Sequence, residues 1–315
     1  MPTYHVSRQE HGLAVDKAIL ALGSDLSRRQ IRTILDQGGI AVDGKRVFTA
    51  SFKVKIGQVI RIQVLIKPQA RVKAVSLSVA DVIYDHDGIV AFNKPAGIAV
   101  QKVRSVKSES MDLLAQKLLR QSGRLSLDQA LILCHRLDKE TTGALLFADN
   151  VAKAALLMAA FKAKEVSKTY WALSFGMPKK KSWQCKNHLS PIHPKTGIVS
   201  AVKSGGKIAV TDFNVLQVFA RQKCALIECK PHTGRSHQLR VHLASAGLPI
   251  VGDKKYFSQD VGLLPKELLR LSGDSHFLHA KHVAFKVDET THQVEAALPQ
   301  AFQKALDVLR GSSTE

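Results

Sequence analysis

Residues 131–150 read LILCHRLDKETTGALLFADN. Apolar runs on either side predict two buried strands, and between them stand His135, Arg136, Asp138, Lys139, Glu140, Thr141, Thr142 and Gly143. Charged groups carried between two buried strands must pair with one another or face a ligand, so this loop is the first candidate site. Taken alone, the loop also fits an Arg–Asp ion pair that only pins the two strands.

The flanking sequence sets the loop in an α+β unit. Upstream, DVIYDHDGIVAFNKPAG (81–97) gives two β-rich runs around a polar DHDG turn, ended by Lys94 and Pro95. Helical periodicity follows in SMDLLAQKLLRQ (110–121) and NVAKAALLMAAFKAKEV (150–166). Two later segments concentrate reactive or polar groups: KTYWALSFG (168–176), with Lys168 and Tyr170, and CKPHTGRSHQLRVHLASAGLPIVGDKKY (229–256), with Arg235, His237, Gln238, Arg240 and His242.

A smaller unit precedes this one. VDKAILALG (15–23) reads as a short amphipathic helix, and SDLSRRQIRTILDQGG (24–39) as a second helix that Ser27 can cap, with Ile31, Ile34 and Leu35 on one face. Arg28, Arg29 and Arg32 lie near its start, where the macrodipole disfavours positive charge, so they read as phosphate ligands rather than stabilising groups. Gly38 and Gly39 supply a left-handed stop, IAVDGKRV (40–47) a hairpin turning at Asp43 and Gly44, and FKVKIGQVIRIQVL (52–65) a second strand pair. The basic segment KPQARVKAVSL (67–77) reads as linker.

Composition narrows the function. Lys and Arg number 46 against 26 Asp and Glu, a net charge of +20, which implies a polyanionic partner. No run is long enough to span a bilayer and the opening MPTYHVSRQEHG is polar, so a cytoplasmic protein without a membrane partner is expected. Cys134, Cys185, Cys224 and Cys229 lack paired spacing and read as reduced structural thiols. Cys185, His188, His193, Cys224 and Cys229 form neither HExxH nor H-x-E with PCxxC, so no metal site is expected, and no nucleotide-binding glycine loop occurs.

The pattern over roughly 12–65 resembles the RNA-binding domain first seen in small-subunit ribosomal protein four. NKPAG (93–97), HRLDKETTG (135–143), KTYWALSFG (168–176), TGRSHQLRVHLASAGLPIVGD (233–253) and FLHAKHVAF (277–285), in this order and at these separations, closely resemble the motifs of the RluA-type pseudouridine synthase family. The chain departs from that pattern at Thr142, where the family has serine, at VQKVRS (100–105), where a His-Pro is usual, and at FKVDETTH, which lacks a later His-Pro.

The resemblance implies an α+β catalytic domain at 81–310 with a mixed, mostly antiparallel sheet, after an RNA-binding domain at 1–66 and a linker at 67–80, and before a tail at 311–315. It implies uridine-to-pseudouridine isomerisation without a cofactor, by a monomer. Large-subunit ribosomal RNA is the leading substrate and transfer RNA the other. A non-catalytic RNA-binding or ribosome-assembly protein is the competing reading.

By the same resemblance Asp138 is the catalytic carboxylate, with Tyr170 and Arg240 beside it, and Arg136, Leu239 and Leu278 line the pocket. The reaction breaks the N1–C1′ bond, turns the base and rejoins C1′ to C5, exchanging only the C5 proton. A carboxylate, with an ordinary pKa of about 3.9, is ionised at neutral pH if a cation offsets its desolvation, and Arg240 is the candidate. Asp138 would attack C1′ or C6, or assist departure of the base as a glycal forms. Tyr170 would stack on the flipped base, and its hydroxyl is a candidate for taking the C5 proton. Arg28, Arg29, Arg32 and Arg235 would bind phosphates.

Overall fold

The computed structural model describes residues 2–36, 38–62, 76–101, 109–257 and 264–311. Residues 63–75 and 312–315, which hold most of the expected linker and tail, lie outside the described residues, as do 102–105 of VQKVRS. The chain forms two compact units, 1–74 and 75–315.

In the first unit, β1 (Thr3–His5), β2 (Ile40–Val42), β3 (Lys45–Val47) and β4 (Val59–Ile62) make an antiparallel sheet in the order β1-β4-β2-β3. Helices α1 (Val15–Ala21) and α2 (Arg28–Asp36) share its core through Val15, Ile19, Ile31 and Leu35. Ser27 begins α2 with a reciprocal cap: its Oγ accepts from Gln30 N–H at 3.3 Å while Gln30 Oε1 accepts from Ser27 N–H at 2.8 Å. The β2–β3 turn places Asp43 and Gly44 at positive φ, 49° and 78°.

The expected strand pair at 52–65 does not form among the described residues, 63–65 lying outside them. Of residues 52–62 the strand is Val59–Ile62, pairing with β2 and with β1, a three-residue strand in the stretch read simply as polar. Phe52 and Val54 instead spend their backbone groups on residues 12–15, with Val15 N–H donating to Phe52 O and Val54 N–H to Leu13 O.

The second unit carries an 11-stranded sheet. In chain order the elements are β5 (Val82–His86), β6 (Ile89–Lys94), α3 (Met111–Gln121), β7 (Ile132–Leu133), β8 (Thr142–Ala148) and α4 (Val151–Ala163). Then come β9 (Ser167–Phe175), β10 (Ser182–Leu189), β11 (Ala201–Val202), β12 (Lys207–Phe219) and β13 (Cys224–Pro231). The rest are α5 (Gln238–Ser245), α6 (Lys266–Ser272), β14 (Leu278–Val287), β15 (Thr290–Glu295) and α7 (Gln300–Gly311). The sheet order is β11-β10-β12-β13-β9-β14-β8-β6-β5, with β15 on β14 and β7 on β8. Every described pairing is antiparallel except β14 with β8, so the sheet is mixed and mostly antiparallel.

The apolar runs of β6 and β8 follow from helices on both faces. Val90, Phe92, Leu145 and Phe147 pack on α3, while Ile89, Ala91, Ala144 and Leu146 face α4. Farther along, Leu173 and Phe175 of β9 pack with α7, and Ala172 packs with Leu239 and Leu243 of α5. Gly143 lets β8 run beside β14: its φ is +108°, and a Cβ there would lie 2.3 Å from Ala280 O. Residues 134–141, held between β7 and β8, thus reach the same end of the sheet as α5 and the start of β14. The expected linker ends in a short 3₁₀ turn, Val79–Asp81, capped by Ser78.

Candidate active site

A cavity of about 600 Å³ opens where the 134–141 loop, β9, residues 231–237, α5 and the start of β14 meet. Asp138, Tyr170, Leu239, Arg240 and Leu278 line it together with Arg136 and Arg235. Four motifs separated by up to 140 positions in sequence therefore converge on one cavity, whereas Arg28, Arg29 and Arg32 lie in the other unit.

Arg240 is the hub. Its Nη1 donates to Asp138 Oδ2 at 3.1 Å, while Nε and Nη2 fork onto Asp253 Oδ2 and Oδ1 at 2.7 and 2.8 Å. The Arg240 and Asp253 side chains are 8% and 0% exposed, against 28% for Asp138, so the cation is fixed from behind and presented to the more open carboxylate. Burial, which would lower the Arg240 pKa, is outweighed by the hydrogen bonds and charges of Asp253 and Asp138, and the guanidinium stays above its ordinary value. Asp253 also caps backbone N–H groups of Lys255 and Tyr256. The Tyr256 ring lies under the guanidinium, 4.9 Å from centroid to Cζ.

The loop has its own clamp. Lys94, fully buried, donates from Nζ to the carbonyls of Pro95, Lys139 and Thr141, each at 2.9 Å. Burial pushes its amine down to about 7, against the pull of Glu140 and Asp138. Thr141 N–H closes a turn on Asp138 O, and Thr141 Oγ1 meets His276 Nε2 at 3.2 Å. Thr142 bonds His279 Nδ1 through its hydroxyl at 2.8 Å, a contact that serine could also make, so this departure keeps the chemistry of the position.

Tyr170, Leu239 and Leu278 pack in one apolar cluster along the wall. Burial, and then the charge of Asp138, push the Tyr170 phenol up, so its hydroxyl is protonated at neutral pH. Arg136 is exposed at the rim, and Arg235 Nε is held by Ile208 O at 3.1 Å. Asp253, Tyr256 and Lys94 were not singled out from sequence. The sequence carries only faint marks of them, an aspartate and an aromatic within the VGDKKY run and a lysine between an apolar strand and a proline, none of which points to its partners.

Arg28 and Arg32 prove to have an internal partner. Both donate Nε to Asp16 Oδ2, at 3.0 and 2.9 Å, and Asp16 is 1% exposed. Placement near the helix start therefore does not exclude a stabilising role: a buried carboxylate on α1 supplies the compensation. Each arginine stays about half exposed, at 49% and 54%, and can still meet an external anion.

The family model described as RNA pseudouridylate synthase matches residues 88–245, and the S4 domain model matches 15–60. This chain belongs to the RNA pseudouridylate synthase family. The "Ribosomal large subunit pseudouridine synthase C" of Rickettsia conorii is 33% identical over 93% of this chain and 96% of its own length. An "Uncharacterized RNA pseudouridine synthase" of Aquifex aeolicus is 30% identical over 86% and 85%. The solved structure of "Human RNA Pseudouridylate Synthase Domain Containing 4" superposes with a TM-score of 0.61, at 28% identity, over 73% of this chain and 93% of that one. The synthase thus combines an N-terminal S4 RNA-binding domain with an isomerase domain. Among the described residues, no helix is long and apolar enough to cross a membrane.

Proposed function

We propose that this synthase converts uridine to pseudouridine in large-subunit ribosomal RNA, with Asp138 as the catalytic carboxylate. The observation that carries the reading is the Asp138–Arg240 contact of 3.1 Å in the cavity, with Arg240 itself locked by Asp253. The substrate class is supported by the similarity to the Rickettsia conorii protein along almost the whole of both chains, together with the S4 domain.

In this reading the target nucleotide is flipped into the cavity, at a cost of a few kcal/mol that stacking and hydrogen bonds offset. Leu239 and Leu278 exclude water, Tyr170 stacks on the base, and Arg136 and Arg235 meet phosphates at the rim. Attack at C1′, attack at C6 and glycal formation all use the same carboxylate. The raised pKa of Tyr170 argues against its phenolate as the base for the C5 proton. Arg28, Arg29 and Arg32 add a second phosphate-binding surface. Action as a monomer, in the cytoplasm with its RNA, belongs to the same proposal.

Pseudouridine mapping of total RNA tests this. Sites absent in cells lacking the gene should return with the wild-type gene and not with Asp138→Asn, and should fall in large-subunit ribosomal RNA. Sites restored only in transfer RNA would overturn the substrate, and restoration by Asp138→Asn would overturn the catalytic assignment.

A further inference from the structure

His237 lines the cavity and has no role in the reading above. Its backbone is left-handed, with φ 55° and ψ 16°, a conformation disfavoured for a residue with a Cβ. Such strain, held by surrounding structure in a cavity, is a mark of functional constraint. Here it sits at the residue that opens α5, three positions before Arg240, and it keeps the imidazole beside Asp138: His237 Nε2 is 3.9 Å from Asp138 Oδ2. That separation is too long for a hydrogen bond, and it lets one nucleobase edge contact both groups.

The neighbours of this imidazole suit one tautomer. Val199 N–H donates to Tyr256 Oη at 2.8 Å, which leaves the phenol's own proton to be given to His237 Nδ1, 2.7 Å away. A neutral imidazole that accepts at Nδ1 carries its hydrogen on Nε2. Burial lowers the His237 pKa against the charge of Asp138, with Arg240 and Lys255 adding to the lowering, so the neutral ring is the resting form.

We propose that His237 is a further catalytic residue of this synthase, a fixed Nε2–H donor to a carbonyl oxygen of the uracil, with Tyr256 as the positioning residue that sets its tautomer. The inference rests on the assignment of Asp138 made above. When the N1–C1′ bond breaks, both its electrons stay with the base, and the charge spreads onto its carbonyl oxygens O2 and O4. A preorganised N–H aimed at such an oxygen stabilises the detached base while it turns, without giving up its proton. When C5 bonds to C1′ the negative charge of the base is consumed and any bond between C1′ and Asp138 breaks back to the free carboxylate; the C5 proton then leaves to solvent while N1 takes one up, so atoms and electrons balance with no co-reactant.

The test uses the full-length protein and 5-tritiated total RNA from cells lacking the gene, with single-turnover tritium release and RNA affinity measured from pH 5.5 to 9. His237→Ala should slow release about 100-fold with affinity kept within about twofold, and His237→Gln, which keeps a donor, should recover about tenfold of that loss. Tyr256→Phe keeps the ring under Arg240 and frees the tautomer. Its rate should fall near neutral pH and recover as acid protonates both ring nitrogens and restores the Nε2–H.

Asp138, Arg240, Asp253 and Lys255 face the imidazole in both proteins, so the difference between the two profiles belongs to Tyr256. A wild-type rate in His237→Ala, or a loss confined to affinity, overturns the catalytic role. A Tyr256→Phe profile parallel to wild type overturns the tautomer. Should His237→Ala fail to fold, His237→Gln and Tyr256→Phe carry the test, and an active Asp138→Asn would sink the underlying assignment instead, whatever His237 does.

Discussion

Two carboxylates divide one guanidinium between them, and the buried one bears the larger structural load. Removing the Asp253 charge leaves Arg240 desolvated against Asp138 alone, so Asp253→Asn should cost about 3 kcal/mol of stability, read by urea unfolding, and slow turnover as well. Burial would raise the Asp253 pKa, but the hydrogen bonds and charge of Arg240 hold it below the usual range. Its stabilising contribution is therefore complete above the unfolded carboxylate value of about 3.9 and is lost as pH falls through the folded value. Lys94→Met would strand three carbonyls around the 134–141 loop, an expected loss of about 2 kcal/mol or more in the same unfolding assay. That Asp138, Tyr170 and Arg240 share one cavity could be expected from sequence because each sits inside a contiguous motif. Asp253 and Tyr256 lay in a run already quoted, but nothing local says that residues 13 and 16 positions after Arg240 fold back under its guanidinium. Lys94 read only as the end of a strand, since a lone lysine does not announce three carbonyl partners.

Among the elements, the parallel contact of β8 with β14 brings the 134–141 loop to the cavity. Gly143→Ala would drive a Cβ to 2.3 Å from the Ala280 carbonyl on that neighbouring strand, and backbone on both sides leaves no flexible atom to yield. We expect a loss of at least about 2 kcal/mol in thermal or chemical unfolding together with loss of activity, and an unperturbed variant would contradict the close-approach argument. Strands and helices of the larger unit were legible where periodicity was strong, as in α3 and the doubly covered β6 and β8. The smaller unit was harder. A three-residue strand such as Thr3–His5 carries too little pattern to be seen, and the apolar alternation of 52–57 reflects packing against residues 12–15 rather than a ladder. The role of Asp16 was hidden for a related reason: a lone acid on α1 does not show, in sequence, that two arginines of α2 will close over it.

For the molecule as a whole, charge and buried histidines set the response to solution conditions. His242, His276 and His279 are buried, and burial pushes each down to about 4. The unfolded chain takes up these protons near its ordinary value of about 6.5, so it binds more protons than the folded chain between those two values. Stability should therefore be intact above about pH 6.5 and fall steeply toward pH 4, which a series of urea melts would show. The net charge of +20 predicts RNA affinity that drops steeply with salt, by about three orders of magnitude between 50 and 200 mM, since each neutralised phosphate releases counterions. A shallow salt dependence in filter binding would mean that few of the basic residues meet phosphate.

The role proposed for Asp138 is to drive isomerisation of uridine in large-subunit ribosomal RNA. Its most direct test is release of tritium to water from 5-tritiated large-subunit ribosomal RNA, prepared from cells lacking the gene and mixed with purified protein. The wild type should release tritium in proportion to the pseudouridine formed, and Asp138→Asn should release none while binding the RNA with similar affinity. Release by Asp138→Asn at the wild-type rate, or none by the wild type, would contradict the claim.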